Sequence, residues 1–234
     1  MRPNTLKQKL QNGETAYGVS VTWDAIQMVE FLGFLGFDYI AIDAQHGFFS
    51  AESAGKLARA CDVTGAIPIA RIPNFERSTI IQYLDAGLMG ITCPHVATAE
   101  EAEAIVRATR FGGRGYRSAA QSTRRGNYGV THSFPEFVEW NNSSIYVGIM
   151  VEDEIGLSNL DEILEVEGVD NVTFGPADLA FALGCEGDAS HPKAQEVMQE
   201  ATARVRAKKP GSMEAVHAHA LLRGAAEEWL SQHK

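Results

Sequence analysis

The stretch FLGFDYIAIDAQHG, residues 34–47, holds a helix end, a glycine, a strand and the start of a loop, in that order. Gly36 stops a helical apolar pattern, and the β-branched run YIAID (39–43) follows two residues later. A strand that only filled a core would have no need to deliver an acid, an amide and an imidazole at its exit. Asp43, Gln45 and His46 stand there, followed at once by Gly47. A strand that feeds an active-site loop does need them.

The same helix–glycine–strand joint recurs at VTGAIP (63–68) and LDAGLMG (84–90). Working outward, short apolar runs are expected to be strands at 16–22, 39–43, 67–72, 89–95, 146–152 and 169–175. Helical apolar spacing fills most of the gaps, as in AIQMVEFLGFLG and RSTIIQYLDAG. Near-continuously apolar strands separated by helices indicate a parallel sheet covered on both faces. Repeated βα units favour a (β/α)₈ TIM barrel over a doubly wound sheet. A dinucleotide fold would need a glycine-rich loop after the first strand, and SVTWDA is not one.

One domain over 1–234 is expected, with a long insertion at about 111–145 that carries four arginines in RGYRSAAQSTRR. The C-terminal units read as abbreviated. After HPKAQEVMQEATARVRAKK come only PGSMEAV, a short seventh strand at best, and one terminal helix. The expectation is a gap where an eighth strand should join the first, covered by that helix or by a neighbouring chain.

Composition narrows the function classes. The net charge of −10, from 20 Lys plus Arg against 30 Asp plus Glu, disfavours nucleic acid and anionic membranes as partners. No apolar run reaches the roughly 18 residues of a membrane span, and MRPNTLKQKLQNG lacks the apolar centre of a secretory signal. Three scattered cysteines form neither a disulfide framework nor a metal spacing, so a reduced, cytoplasmic setting is expected.

In parallel barrels the chemistry lies where strands exit. GIMVEDE leaves Glu152 at one exit, and TFGPAD leaves Asp178 just past the next. Two carboxylates without Cys or His neighbours suit a hard divalent cation; alternatively Glu152 is a loop acid and Asp178 caps a helix. FGPADL offers uncapped amides for a substrate carboxylate, or is an ordinary strand-to-helix turn. His46 with Asp43 reads as a base with its orienting acid, or as a loop histidine. Arg71 in IPIARI must find an anion, either substrate or a structural carboxylate. Cys93 and His95 flank Pro94 and read as packing. His217 and His219, two apart on an expected helix, face different directions and make a poor metal pair.

Taken in order, GFDYIAIDAQHG, PIARIP, LDAGLMGITCPHV, GGRGYRSAA, VEDEIGLSNLDEIL and GVDNVTFGPADLA resemble the HpcH/HpaI family of class II, metal-dependent pyruvate aldolases, over residues 4 to 209. The resemblance implies a TIM barrel, a homo-oligomer (trimer or hexamer) with an exchanged C-terminal helix, and cleavage of 4-hydroxy-2-oxo acids to pyruvate and an aldehyde. It implies that Glu152 and Asp178 hold Mg²⁺, Mn²⁺ or Co²⁺, and that Arg71 binds the keto oxygen. It further implies that His46, oriented by Asp43, moves protons. Gly175, Pro176, Ala177 and Asp178 would form the carboxylate site, and Asp85 would reach a neighbouring subunit's site. Met150 and Ser20 replace a glutamine and a tryptophan common in the family. Cleaving C3–C4 leaves an enolate whose charge the cation and Arg71 would stabilise, and no lysine at a strand exit offers Schiff-base chemistry. An acyl-CoA lyase of the same superfamily and a shortened, non-catalytic family member are the alternatives.

Overall fold

Strands that are apolar on both faces must be walled in, and here helices do it. The computed structural model describes residues 1–234. It begins with α1 (Thr5–Gln11), β1 (Thr15–Val21), α2 (Ile26–Phe34), β2 (Tyr39–Asp43), α3 (Ala51–Thr64) and β3 (Ile67–Arg71). It continues with α4 (Arg77–Ala86), β4 (Gly90–Cys93), α5 (Ala99–Thr109), α6 (Phe134–Ser144) and β5 (Tyr146–Val151). It ends with α7 (Glu154–Ser158), α8 (Leu160–Glu165), β6 (Asn171–Phe174), α9 (Pro176–Ala182), α10 (Pro192–Lys208), β7 (Ser212–His217) and α11 (Ala218–His233).

The seven strands form one sheet in the order β6-β5-β4-β3-β2-β1-β7, with every pairing parallel. This is a nearly closed TIM-type barrel, as expected from the repeated joints. Its main core lies between strands and helices, where Ile40, Ile42, Ala70, Ile91, Val147 and Ile149 are fully shielded from solvent. Each such aliphatic side chain contributes roughly 1.5–3 kcal/mol by burial. Local signals set the helix ends: reciprocal capping boxes start α3 (Ser50/Ser53), α5 (Thr98/Glu101) and α6 (Ser133/Glu136).

The gap is not where the sequence suggested. The segment after α10 does not stop short of β1; it pairs with it, Thr15–Ser20 against Ser212–His217. Only a three-residue link, 209–211, joins α10 to β7. It turns directly under α1: the Ser212 amide donates to Glu14 O at 3.1 Å, and the Thr15 and Ser212 hydroxyls meet at 2.8 Å. The opening therefore lies between β6 and β7. There a cavity of about 290 Å³ is lined by Val172 and Phe174 of β6, Met198, Thr202 and Val205 of α10, and Met213 of β7. The terminal helix α11 packs on β1 and β7 and does not cover this opening.

The opposite mouth, at the N-terminal ends of the strands, is plugged by α1. Leu6 and Leu10 pack against Tyr39, Ile67, Met89 and Tyr146, at or beside the starts of four strands. Asn4 donates to the carbonyls of Met89 and Ser144, and the buried Lys7 pairs with Asp170 at 3.0 Å. The 111–145 segment closes the same end. It is not loop throughout, because it ends in α6 (Phe134–Ser144). Arg117 and Arg125 point inward: Arg117 binds Asp85 and Asn141, and Arg125 reaches the carbonyls of Gly87 and Leu88 beneath Trp140, while Arg124 pairs with Asp62 nearer the surface. Burial lowers the Arg125 pKa to about 10.

An unpaired sheet edge has backbone amides without ladder partners. Hydrogen exchange followed by mass spectrometry should therefore find β6 exchanging much faster than the doubly flanked β3. Equal protection of β6 and β3 would mean that the opening is filled in solution.

Candidate active site

β2 and β3 end side by side, and Asp43 and Arg71 are direct register partners. An arginine in an apolar strand needs an anion, and Asp43 is it. Arg71 Nε donates to Oδ1 at 3.1 Å and its terminal nitrogen to Oδ2 at 2.5 Å. The same carboxylate accepts the main-chain amides of Gln45 and His46, at 3.2 and 3.1 Å. Burial works to raise the Asp43 pKa, but the Arg71 contact and the two amides outweigh it and the net shift is downward. Asp43 thus orients the backbone that carries His46, not its imidazole. The His46 ring stands exposed at the mouth. Gly47 is required next because a Cβ there would collide with the carbonyl oxygen of Asp43.

β5 delivers Glu152, whose side chain is only 2% exposed. One oxygen, Oε2, accepts the main-chain amide of His95 at 2.9 Å and lies 3.1 Å from its ring Nδ1. The other, Oε1, is buried and has no partner. It lies over Gly175, where any Cβ would collide with it. Gly175 is the N-cap of α9, and Asp178 sits in the first turn of that helix, exposed. A buried, half-satisfied carboxylate is costly unless a cation completes it. The orphan oxygen, the glycine cradle and the nearby exposed carboxylate fit a divalent cation held by two protein ligands. No group of three or more His, Cys, Asp or Glu converges anywhere on such a site, so other positions would be left to water or substrate. No side chain caps α9, which leaves the amides of Ala177 and Asp178 uncapped at its start, after Pro176.

Two further placements depart from the sequence reading, those of His95 and of the His217–His219 pair. His95 does not pack; its side chain is 58% exposed and joins Glu152, while Cys93 is buried as expected. His217 and His219 are not successive helical positions. His217 ends β7 beside Ser20 and His219 opens α11, so their rings stack at 5.2 Å, with Trp23 near His219. Asp85 ends α4, at the plugged end of the barrel and away from its own chain's mouth, and binds Arg117 at 2.5 Å. Burial raises the Asp85 pKa despite that cation. Met150 lies beside Arg71, whose guanidinium reaches its sulfur at 3.8 Å. His95 gave little signal in the sequence, because a histidine after proline at a strand exit is equally common in packing turns.

This is the layout of a barrel enzyme whose chemistry sits at the strand exits. The chain belongs to the HpcH/HpaI aldolase/citrate lyase family, whose model matches residues 18–227. A 5-keto-4-deoxy-D-glucarate aldolase of Salmonella paratyphi A is 33% identical over 208 residues, covering 88% of this chain and 79% of the relative. The crystal structure of an HpcH/HpaI aldolase/citrate lyase family protein from Burkholderia cenocepacia superposes with a TM-score of 0.86 at 26% identity, covering 99% and 100% of the two chains. An HpcH/HpaI aldolase from Desulfitobacterium hafniense shares the fold, with a TM-score of 0.85 at 24% identity over 97% and 95% of the chains. The protein is accordingly a carbon–carbon lyase of the aldolase type acting on a small molecule. Its family is generally metal-dependent. No helix is long and apolar enough to cross a membrane.

The Asp43 pair makes a pH-signed prediction. Its folded pKa is lowered, so its stabilisation is present above the unfolded value of about 3.9 and is lost as pH falls through the lower folded value. Asp43→Asn should cost roughly 2 kcal/mol at pH 7. In thermal melts the difference from wild type should shrink below about pH 4. A difference that stays constant into strong acid would mean that the carboxylate charge is not what stabilises this corner.

Proposed function

We propose that the protein is a metal-dependent pyruvate aldolase that cleaves 4-hydroxy-2-oxo acids to pyruvate and an aldehyde, or runs the reverse addition. The observation that carries this reading is Glu152 Oε1, buried and unpartnered above Gly175 beside the helix that bears Asp178. Glu152 and Asp178 would hold Mg²⁺, Mn²⁺ or Co²⁺. When bound, that cation would act as a Lewis acid toward the 2-oxo acid.

The residues of the chain supply the rest. Arg71 is only partly consumed by Asp43 and keeps a terminal nitrogen against nothing stronger than the Met150 sulfur. That nitrogen is assigned to the C2 keto oxygen, where negative charge gathers as C3–C4 breaks. His46 takes the C4 hydroxyl proton, the C3–C4 electron pair passes toward the C2 carbonyl, and an aldehyde leaves. Proton return to C3 completes pyruvate. The amides of Ala177 and Asp178, with Gly175 and Pro176 shaping the turn, receive the substrate carboxylate. Asp85, at the plugged end of its own barrel, would serve only across a boundary between copies, which fits a homo-oligomer, trimer or hexamer. The relative of known name acts on a sugar acid derivative, 5-keto-4-deoxy-D-glucarate, so a hydroxylated aldehyde partner is the first to test.

Pyruvate release from a generic 4-hydroxy-2-oxo acid by metal-stripped and metal-restored protein is the decisive experiment. Release restored by Mg²⁺ or Mn²⁺ supports the reading, and no release under any metal would favour a non-catalytic family member. Glu152→Gln and Asp178→Ala should each lose at least a hundredfold in activity, with circular dichroism unchanged. Full activity of either variant in the presence of chelator would sink the metal assignment. Arg71→Lys keeps the charge but loses the planar fork, so kcat should fall about a hundredfold, in the range of losing one oxyanion donor. A change confined to KM would restrict Arg71 to binding.

A further inference from the structure

We propose that His95 is a positioning residue that holds one oxygen of the Glu152 carboxylate, through its amide and its ring, so that the other is presented to a cation. The inference rests on the metal reading of Glu152 and assigns that site a residue beyond its two carboxylates.

The backbone gives the first observation. His95 has φ +54°, in the left-handed region that non-glycine residues seldom enter and that recurs where function requires it. Pro94 precedes it, and the next amide, Val96 N–H, folds back to donate to Met150 O at 3.2 Å. This tight turn from the end of β4 sets residue 95 against the exit of β5. In that conformation the main-chain N–H and the ring Nδ1 of one residue converge on a single oxygen, Glu152 Oε2, at 2.9 and 3.1 Å.

The second observation concerns the tautomer. Gln45 Nε2 lies 3.2 Å from His95 Nε2. An amide N–H donating there makes Nε2 the acceptor, which leaves the ring proton on Nδ1, facing the carboxylate. A neutral imidazole in that tautomer satisfies both neighbours. The Gln45 backbone is itself held by its main-chain N–H, which donates to Asp43 Oδ1. The histidine is therefore oriented from the β2 loop and orients the acid of β5 in turn. The third observation is the result: Oε2 accepts the His95 amide and has the ring Nδ1 at 3.1 Å, while Oε1 is buried without any partner. An imidazole that holds a ligating carboxylate in this way fixes the ligand's direction and charge distribution, and loss of such outer partners typically weakens metal binding 10–100-fold.

The test is Mn²⁺ binding to metal-stripped protein, followed by the electron paramagnetic resonance signal of free Mn²⁺. His95→Gly removes the ring but keeps the amide and suits the turn. It should raise the Mn²⁺ dissociation constant about 10-fold or more, with the melting temperature no lower than wild type. His95→Asn tolerates the left-handed backbone, and its Nδ2 can donate where Nδ1 did; it should recover most of the lost affinity. Glu152→Gln in the same assay separates the two claims. If Glu152→Gln loses Mn²⁺ while His95→Gly binds within twofold of wild type, His95 has no positioning role. If Glu152→Gln also binds like wild type, the metal reading falls and this inference with it.

Discussion

The cross-strand pair of Asp43 and Arg71 fastens the whole barrel mouth. Its geometry follows from register alone, because the two residues are direct partners at the ends of adjacent parallel strands. The carboxylate is fully subscribed, with guanidinium nitrogens on one side and the Gln45 and His46 amides on the other. One anion thus neutralises a cation in an apolar strand and shapes the loop that follows. From Gln45 the connection continues to His95 and Glu152. Three strand exits, those of β2, β4 and β5, are joined by this single run of polar contacts. Side-chain networks of this kind rigidify a site when each member is satisfied, and direct attention to the member that is not.

The two ends of the barrel treat buried polarity differently. At the plugged end, Asn4, Lys7, Arg117, Asn141 and Arg125 bind carbonyls, carboxylates or one another. The side-chain groups left over there can all donate: the Nε atoms of Arg117, Arg124 and Arg125 and the Tyr146 hydroxyl. At the open mouth the groups left over are acceptors, Glu152 Oε1 and Gln45 Oε1. Spare acceptors facing a solvent-accessible mouth call for a cation or a donor. The arginine-rich insertion fastens a long segment to the base of the barrel, through Arg117, Arg124 and Arg125.

Much of the fold could be read in advance because each unit repeats one physical pattern: an apolar strand, a polar exit, an amphipathic helix and a stopping glycine. Asp43, Arg71, Glu152 and Asp178 were visible because charge placed at the end of an apolar run is conspicuous. Pairing was not visible. PGSMEAV read as a weak strand in chain order, but nothing in its periodicity says which edge it joins; that was decided by the short link after α10 and its contacts with Glu14 and Thr15. His95 was passed over for a related reason. Its importance comes from a left-handed turn that brings residues far apart in sequence together, Gln45, His95 and Glu152. His217 and His219 were misjudged because the strand–helix boundary falls between them, which replaces helical spacing with a corner.

The opening between β6 and β7 makes this barrel a split hoop. Closure ties strand tilt, stagger and diameter together in a barrel, and a split hoop leaves its two edge strands outside that tie. Glu152 leaves β5, which is gripped by a neighbour on each side; Asp178 rides on α9, directly after the strand that forms one lip. The two carboxylates are therefore mounted differently, one in the wall of the barrel and one on its free rim.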